Sequence, residues 1–208
     1  LAVELRDESN AVTLTLYYTV YPKTDVITRR AALTNGNEKP LTIRRLLSMA
    51  VDIPNDRYRL ITLDGGWIKE AHAHERPVTY GVHVNSSVTG SSSNRHNPGF
   101  IIAAQTTSET QGNAYGFNLV YSGNHYGAVE LSNQDLVRVA LGINPHCFAW
   151  KLSQGETFET PEAVLCFSAD GLNGLSQRFH AFVNAHIVRG DWQGRERPVV
   201  LNNWEAHF

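Results

Sequence analysis

The sequence predicts a mainly β protein, antiparallel sheets packed face to face, with one amphipathic helix near the C-terminus. Three observations carry this. Residues 12 to 20 alternate: Val12, Leu14, Leu16, Tyr18 and Val20 point one way and Thr13, Thr15, Tyr17 and Thr19 the other, the period of a half-buried strand. About ten short apolar runs of this kind, separated by clusters of Gly, Asn, Ser and Pro, follow one another without intervening helices. Only Leu172, Leu175, Phe179, Phe182, Val183 and Ile187 break the pattern, at spacings of three and four, which is a helical stripe.

Taken in order, a second run from Val26 to Thr34 reaches Asn35-Gly36-Asn37, where Asn and Gly tolerate positive φ, and Pro40 precedes a third run from Leu41 to Ile53. This spacing predicts a hairpin. Further strands are expected near 57 to 63, 100 to 104, 115 to 121, 126 to 131, 137 to 141, 147 to 152 and 162 to 168. The helix is expected over 171 to 188, with Asp170 as its N-cap and Arg189-Gly190 at its end. After the link "DWQGRERP", Val199-Val200-Leu201 is a continuous apolar run, which suits a parallel strand covered on both faces. Asn202 to Glu205 would then lie at the C-terminal end of that strand, where α/β barrels and open α/β sheets place their sites. The chain is expected to cross a domain boundary there, its second domain represented by one strand.

Composition excludes several classes. With 42% hydrophobic and 18% charged residues the chain is neither disordered nor, lacking any run of ~20 apolar residues, crossed by a membrane helix. A formal charge of -2, with Lys and Arg scattered, offers no basic stripe for nucleic acid, so a neutral ligand is expected. Cys147 and Cys166 form neither a zinc knuckle nor a disulfide framework, and reduced thiols are expected. The triplet Asn85-Ser86-Ser87 fits a glycosylation site only by its letters.

His72 and His74 in "HAHER" stand two apart, on one face of a strand, as two metal ligands would, but no third ligand follows at a recognisable spacing; the bland reading is a polar strand face or loop. The stretch "SSSNRHNPGF", 91 to 100, gathers donors in a loop and is read first as structural, second as a domain or ligand contact. Glycoside hydrolysis needs two carboxyl groups ~5 to 9.5 Å apart across one bond. Asp52, Asp56, Asp64, Glu70 and Glu75 sit in turns and polar strand faces with no such context, and there is no GxSxG elbow and no phosphate loop. Trp67, after Asp64-Gly65-Gly66, suits stacking on the C–H face of a sugar, although an indole under a Gly turn is as often core.

"RPVVLNNWEAHF", 197 to 208, resembles the "RP(V/I)LxNNWEATYF" segment of the glycoside hydrolase family 36 α-galactosidases, where a β-rich N-terminal domain meets the first strand of a (β/α)8 catalytic barrel. "ITLDGGWIKEAH", "SSNRHNPGF", "YGFNLVYSGNH" and "LGINPHCFAWKLSQGETFETPEAVLCFSADGLNGLSQRFHAF" look like successive blocks of that domain in the expected order. His207 departs from the usual Tyr, and His146-Cys147 from the usual Asp or similar residue. The resemblance implies a galactose-mutarotase-like antiparallel β-supersandwich over 1–170, incomplete at its N-terminus, a linker helix and connection over 171–197, and the orphan first barrel strand over 198–208. It implies a parent that is a retaining exo-α-galactosidase of melibiose, raffinose and similar α-galactosides, without a cofactor or metal, cytoplasmic and tetrameric. Both family aspartates, nucleophile and acid/base, belong to "KWDMNR"-like and "SGGGGRFD"-like blocks that this sequence does not contain, so no catalytic residue is expected among its 208. Trp67 is implied to reach a neighbouring subunit's sugar site and Trp204 to line the site of its own barrel. The rival reading is an autonomous, lectin-like carbohydrate-binding sandwich; a small complete hydrolase is the least favoured.

Overall fold

Strands β1 (Ala2–Asp7), β2 (Val12–Tyr21), β3 (Val26–Asn35), β4 (Leu41–Ile43), β5 (Leu47–Pro54), β6 (Tyr58–Asp64), β7 (His72–Pro77) and β8 (Gly81–Ser86) occupy the first half of the chain. They are followed by β9 (His96–Ala104), β10 (Ala114–Leu119), β11 (His125–Leu131), β12 (Leu136–Ile143), β13 (Trp150–Leu152), β14 (Thr157–Glu159) and β15 (Ala163–Ser168). Helix α1 (Gly171–Phe182) runs on into a π-helical turn, Val183–Ile187. This computed structural model describes residues 1–203.

A large sheet in the order β1-β2-β3-β15-β10-β9-β6-β7, with β14 beside β3, is packed on one face by the three-stranded sheet β11-β12-β5 and on the other by α1. The predicted antiparallel sandwich with a single helix is therefore the observed fold. Its central strands are buried on both faces although they are antiparallel. From β9, Phe100 and Ile102 join Met49, Phe117, Val129 and Val139 between the sheets, while Ala103 packs under the helix with Val164, Cys166, Leu175 and Phe182. The unbroken run "FIIAA" records this two-sided burial, where alternation marks the less covered β2. Gly116 of β10 lets the helix come close: a Cβ there would stand 2.3 Å from Phe179 Cε2.

Several details differ from expectation. Val26–Thr34 and Leu41–Ile53 do not form a hairpin: β3 pairs β2, β14 and β15, β4 pairs β13, and β5 pairs β12. The Asn35 amide donates to Lys39 O and Leu152 O, steering the chain from one sheet to the next instead of reversing it. The long third run is broken at Arg44–Leu46 into β4 and β5. Asp170 makes no side-chain cap. The helix's first N–H groups are taken by carbonyls of the 108–112 loop, Gly171 to Gly112 O, Leu172 to Ser108 O and Asn173 to Glu109 O. Asp170 instead accepts from Arg178, which also reaches Asp25 and Ser168 and rivets α1 to the sheet.

Both thiols are free, Cys166 buried and Cys147 exposed. Val199, Val200 and Leu201 lie exposed and outside any strand; a parallel strand is defined by its neighbours, and none of the described residues pairs with this run. Trp204 and His207 fall outside the described residues. No helix is long and apolar enough to cross a membrane.

Candidate functional site

The stretch Asp64 to Ala71 joins β6 to the edge strand β7 and is built as a tight turn. Gly66 N–H donates to Lys69 O at 3.2 Å and Lys69 N–H returns to Gly66 O at 3.0 Å, while Ile68 N–H donates to the Glu70 carboxylate. Ile68 and Ala71 are held at positive φ, 63° and 53°. Gly65 is obligatory, because a Cβ there would lie 1.7 Å from Lys69 O. The turn carries Trp67 outward: the indole is 86% exposed, not the core residue that a Gly-flanked Trp often is.

The base of the turn is fastened to the 91–100 stretch, which was expected to be a loop but enters β9 at His96. Gly65 N–H donates to Arg95 O at 3.1 Å and Asn97 Nδ2 to Leu63 O at 3.3 Å. His96 Nδ1 donates to Asp64 Oδ1 at 2.7 Å, and Thr62 Oγ1 donates to the other carboxylate oxygen. Burial pushes the Asp64 carboxyl up, but the bonds from Thr62 and His96 outweigh it and hold the group below its ordinary value. A register shift between Thr62 and Asp64 re-aims the strand end where the turn begins. Two stretches read separately in the sequence thus form one surface, with Trp67 at its tip and the exposed Arg95 beside its base.

His72 and His74 lie on one face of β7, opposite Asp64 and Thr62 of β6. They are exposed, and no group of three His, Cys, Asp or Glu among the described residues could hold a metal. Asn85 is buried, its amide donating to Asn97 O and Gly99 O, so it serves as a structural tie beneath the same loop. The Asp64–His96 link was not legible in sequence, since the partners are brought together by the long-range pairing of β6 with β9. The only signal was that Asp64 directly precedes the two glycines.

Concave features lie elsewhere. A recess of about 630 Å³ lined by Arg57, Arg76, Tyr80 and Gln105 sits at the far end of the β6–β7 hairpin. An apolar groove of about 440 Å³ runs between α1 and the sheet, past Leu63, Ile101 and Phe179. Neither is lined by Trp67. Among the described residues, the carboxyls displaced from their ordinary range, Asp64, Asp52 and Asp7, are displaced downward, the opposite of what a general acid needs.

The family model of the glycosyl hydrolase family 36 N-terminal domain matches residues 1–153, and that of melibiase matches residues 157–208. The chain is 42% identical to α-galactosidase AgaA of Geobacillus stearothermophilus over 208 residues, and 40% identical to α-galactosidase 2 of Hypocrea jecorina over 206. It covers 100% and 99% of itself in these matches but only 28% of either relative. Among solved structures, the family 36 α-galactosidase AgaB of Geobacillus stearothermophilus superposes with a TM-score of 0.95 at 42% identity, over 99% of this chain and 28% of that one. A variant of AgaA in complex with raffinose gives 0.95 at 42% identity, over 98% and 28%. The chain spans little more than a quarter of the length of these relatives, and over that span sequence and fold agree: it belongs to the glycosyl hydrolase family 36 N-terminal domain family.

Proposed function

We propose that this chain is the non-catalytic N-terminal β-supersandwich of a retaining exo-α-galactosidase acting on terminal α-galactosides such as melibiose and raffinose. In this reading residues 1–170 form the sandwich, 171–197 the linker helix and connection, and 198–208 the entry into the catalytic barrel. The domain supports a homo-oligomer, a tetramer in the parent, and shapes the substrate pocket of a neighbour through Trp67, while Trp204 lines the pocket of its own barrel. A cytoplasmic parent suits the exposed free thiol of Cys147.

The observation that carries the reading is Trp67 itself. An indole 86% exposed, on a turn with its own hydrogen bonds and outside the recess and the groove described above, is a contact waiting for a second surface. Relatives that are α-galactosidases, one of them solved with raffinose, supply the ligand class.

Residues 1–208 alone are expected to release no nitrophenol from a nitrophenyl α-galactoside above the level of a blank preparation, and to bind raffinose no tighter than millimolar by calorimetric titration. Hydrolysis by the purified chain would overturn the division of labour. A micromolar raffinose site in it would favour the autonomous sugar-binding module instead.

A further inference from the structure

We propose that Asp64 and His96 are positioning residues that fix the Trp67 turn, and through it the indole offered to the neighbour's sugar. The inference deepens the shared-site reading above and rests on it for the sugar, though not for the positioning itself.

The turn cannot hold its place by burial. Trp67 and Ile68 are exposed, and Ile68 and Ala71 adopt positive φ, a backbone conformation that β-branched and other L side chains rarely populate without external support. Its internal bonds, between Gly66 and Lys69, define a shape but not a direction relative to the sheet. Direction comes from its base. On one side β6 and β7 stay in register as far as Asp64 and His72, but on the other the β6–β9 ladder slips beyond Thr62 and resumes only at Asp64 and His96. Three links take over across to the 91–97 segment: Gly65 N–H to Arg95 O, Asn97 Nδ2 to Leu63 O, and His96 Nδ1 to Asp64 Oδ1. The last is the only one of the three formed between two side chains, it is the shortest, and it has a charged acceptor that Thr62 holds from its other oxygen. Asp64 immediately precedes Gly65, so a rotation about this point swings the indole three residues on. A bond at this pivot is therefore suited to set where Trp67 stands, without touching sugar itself.

The test uses the full-length protein, with His96→Ala and Asp64→Ala removing the link and His96→Asn restoring an N–H donor near the Nδ1 position. Hydrogen exchange of the amides of Gly65, Gly66, Ile68 and Lys69 is expected to quicken about tenfold or more in the two Ala variants and to return toward the wild-type rate in His96→Asn, with core strands unchanged. Unchanged exchange in both Ala variants overturns the positioning role, whatever Trp67 does.

The second arm is kinetic. His96→Ala is expected to raise KM for raffinose about fivefold to tenfold with kcat within twofold, and to add nothing when Trp67→Ala is already present, because the pair acts through the indole. Full additivity of the two substitutions would overturn the coupling. If exchange quickens while Trp67→Ala leaves KM untouched in an assembled oligomer, positioning stands and the shared-site reading falls.

Discussion

If the full-length protein is the α-galactosidase proposed above, Trp67→Ala in it is expected to lower kcat/KM for raffinose about thirtyfold, the effect of losing about 2 kcal/mol from an aromatic contact in a closed pocket. The substitution should leave the fold intact, since an indole 86% exposed contributes little to the core and the turn's backbone bonds do not involve it. Its loss should therefore be visible in activity and not in melting temperature. The deficit should also be transferable. If the indole serves a neighbour, subunits carrying Trp67→Ala but an intact barrel, mixed with subunits that keep Trp67 but lack the barrel nucleophile, should recover activity in the hybrid oligomers. The intact barrel then receives a good indole from the other chain. Hybrids that recover nothing, from a Trp67→Ala protein that assembles normally, would show that the residue acts within its own subunit or not at all.

Much of this architecture was legible because two-sided and one-sided burial leave different marks. β2 alternates in sequence although both of its faces are half-buried and Val20 is exposed, and the helix shows its stripe because it lies on a sheet. What could not be read was pairing. Asn35-Gly36-Asn37 carries the letters of a hairpin turn, yet β3 and β4 enter different sheets: β3 lies between its neighbour β2 and the distant β15, and β4 pairs with β13, more than a hundred residues on. Polar edges were equally silent. β7 and β8 hold few apolar residues on a covered face, so β8 did not announce itself as a strand and "HAHER" of β7 could be read only as a polar strand face or a loop. For the site, the glycines before Trp67 flagged the turn, but not that Asp64 is tied to His96 32 residues on. The cap assigned to Asp170 failed for a related reason. A loop distant in sequence met the helix N-terminus with backbone carbonyls and left the carboxylate to Arg178.

Strand β11, beside the anchor of the Trp67 turn, contains a group expected to make the fold acid-sensitive. His125 is 1% exposed, and its Nε2 faces Asn85 Oδ1 at 3.2 Å. The Asn85 amide is already committed to Asn97 O and Gly99 O, so its oxygen accepts and His125 carries its proton on Nε2. Nδ1 is then a lone pair facing Ser92 Oγ at 3.1 Å. Burial above all, with the nearby His96 adding to it, lowers the pKa of His125 from 6.5 to about 4. As pH falls through 6.5 the unfolded chain takes up a proton that the folded one refuses until about pH 4, so the unfolded state binds more protons across that window and stability declines. The contribution is complete above pH 6.5, and its loss by pH 4 is on the order of 2 kcal/mol after allowance for solvent screening. Asp52 and Asp64, whose carboxyls are held below their ordinary value of 3.8, lose their contributions mainly at lower pH, which leaves this window to the histidine. Urea unfolding of residues 1–208 at pH 7, 5.5 and 4.5 should show the decline, and His125→Gln should flatten it even if its stability at pH 7 is lower. An equal slope in the variant would assign the acid sensitivity to other groups. Because His125 Nδ1 faces Ser92 Oγ, whose hydroxyl donates to Gly123 O at 2.8 Å, and the segment that begins at Ser92 runs directly into the Arg95–His96 anchor of the Trp67 turn, amides of 91–95 should lose exchange protection before those of β10 as the pH is lowered.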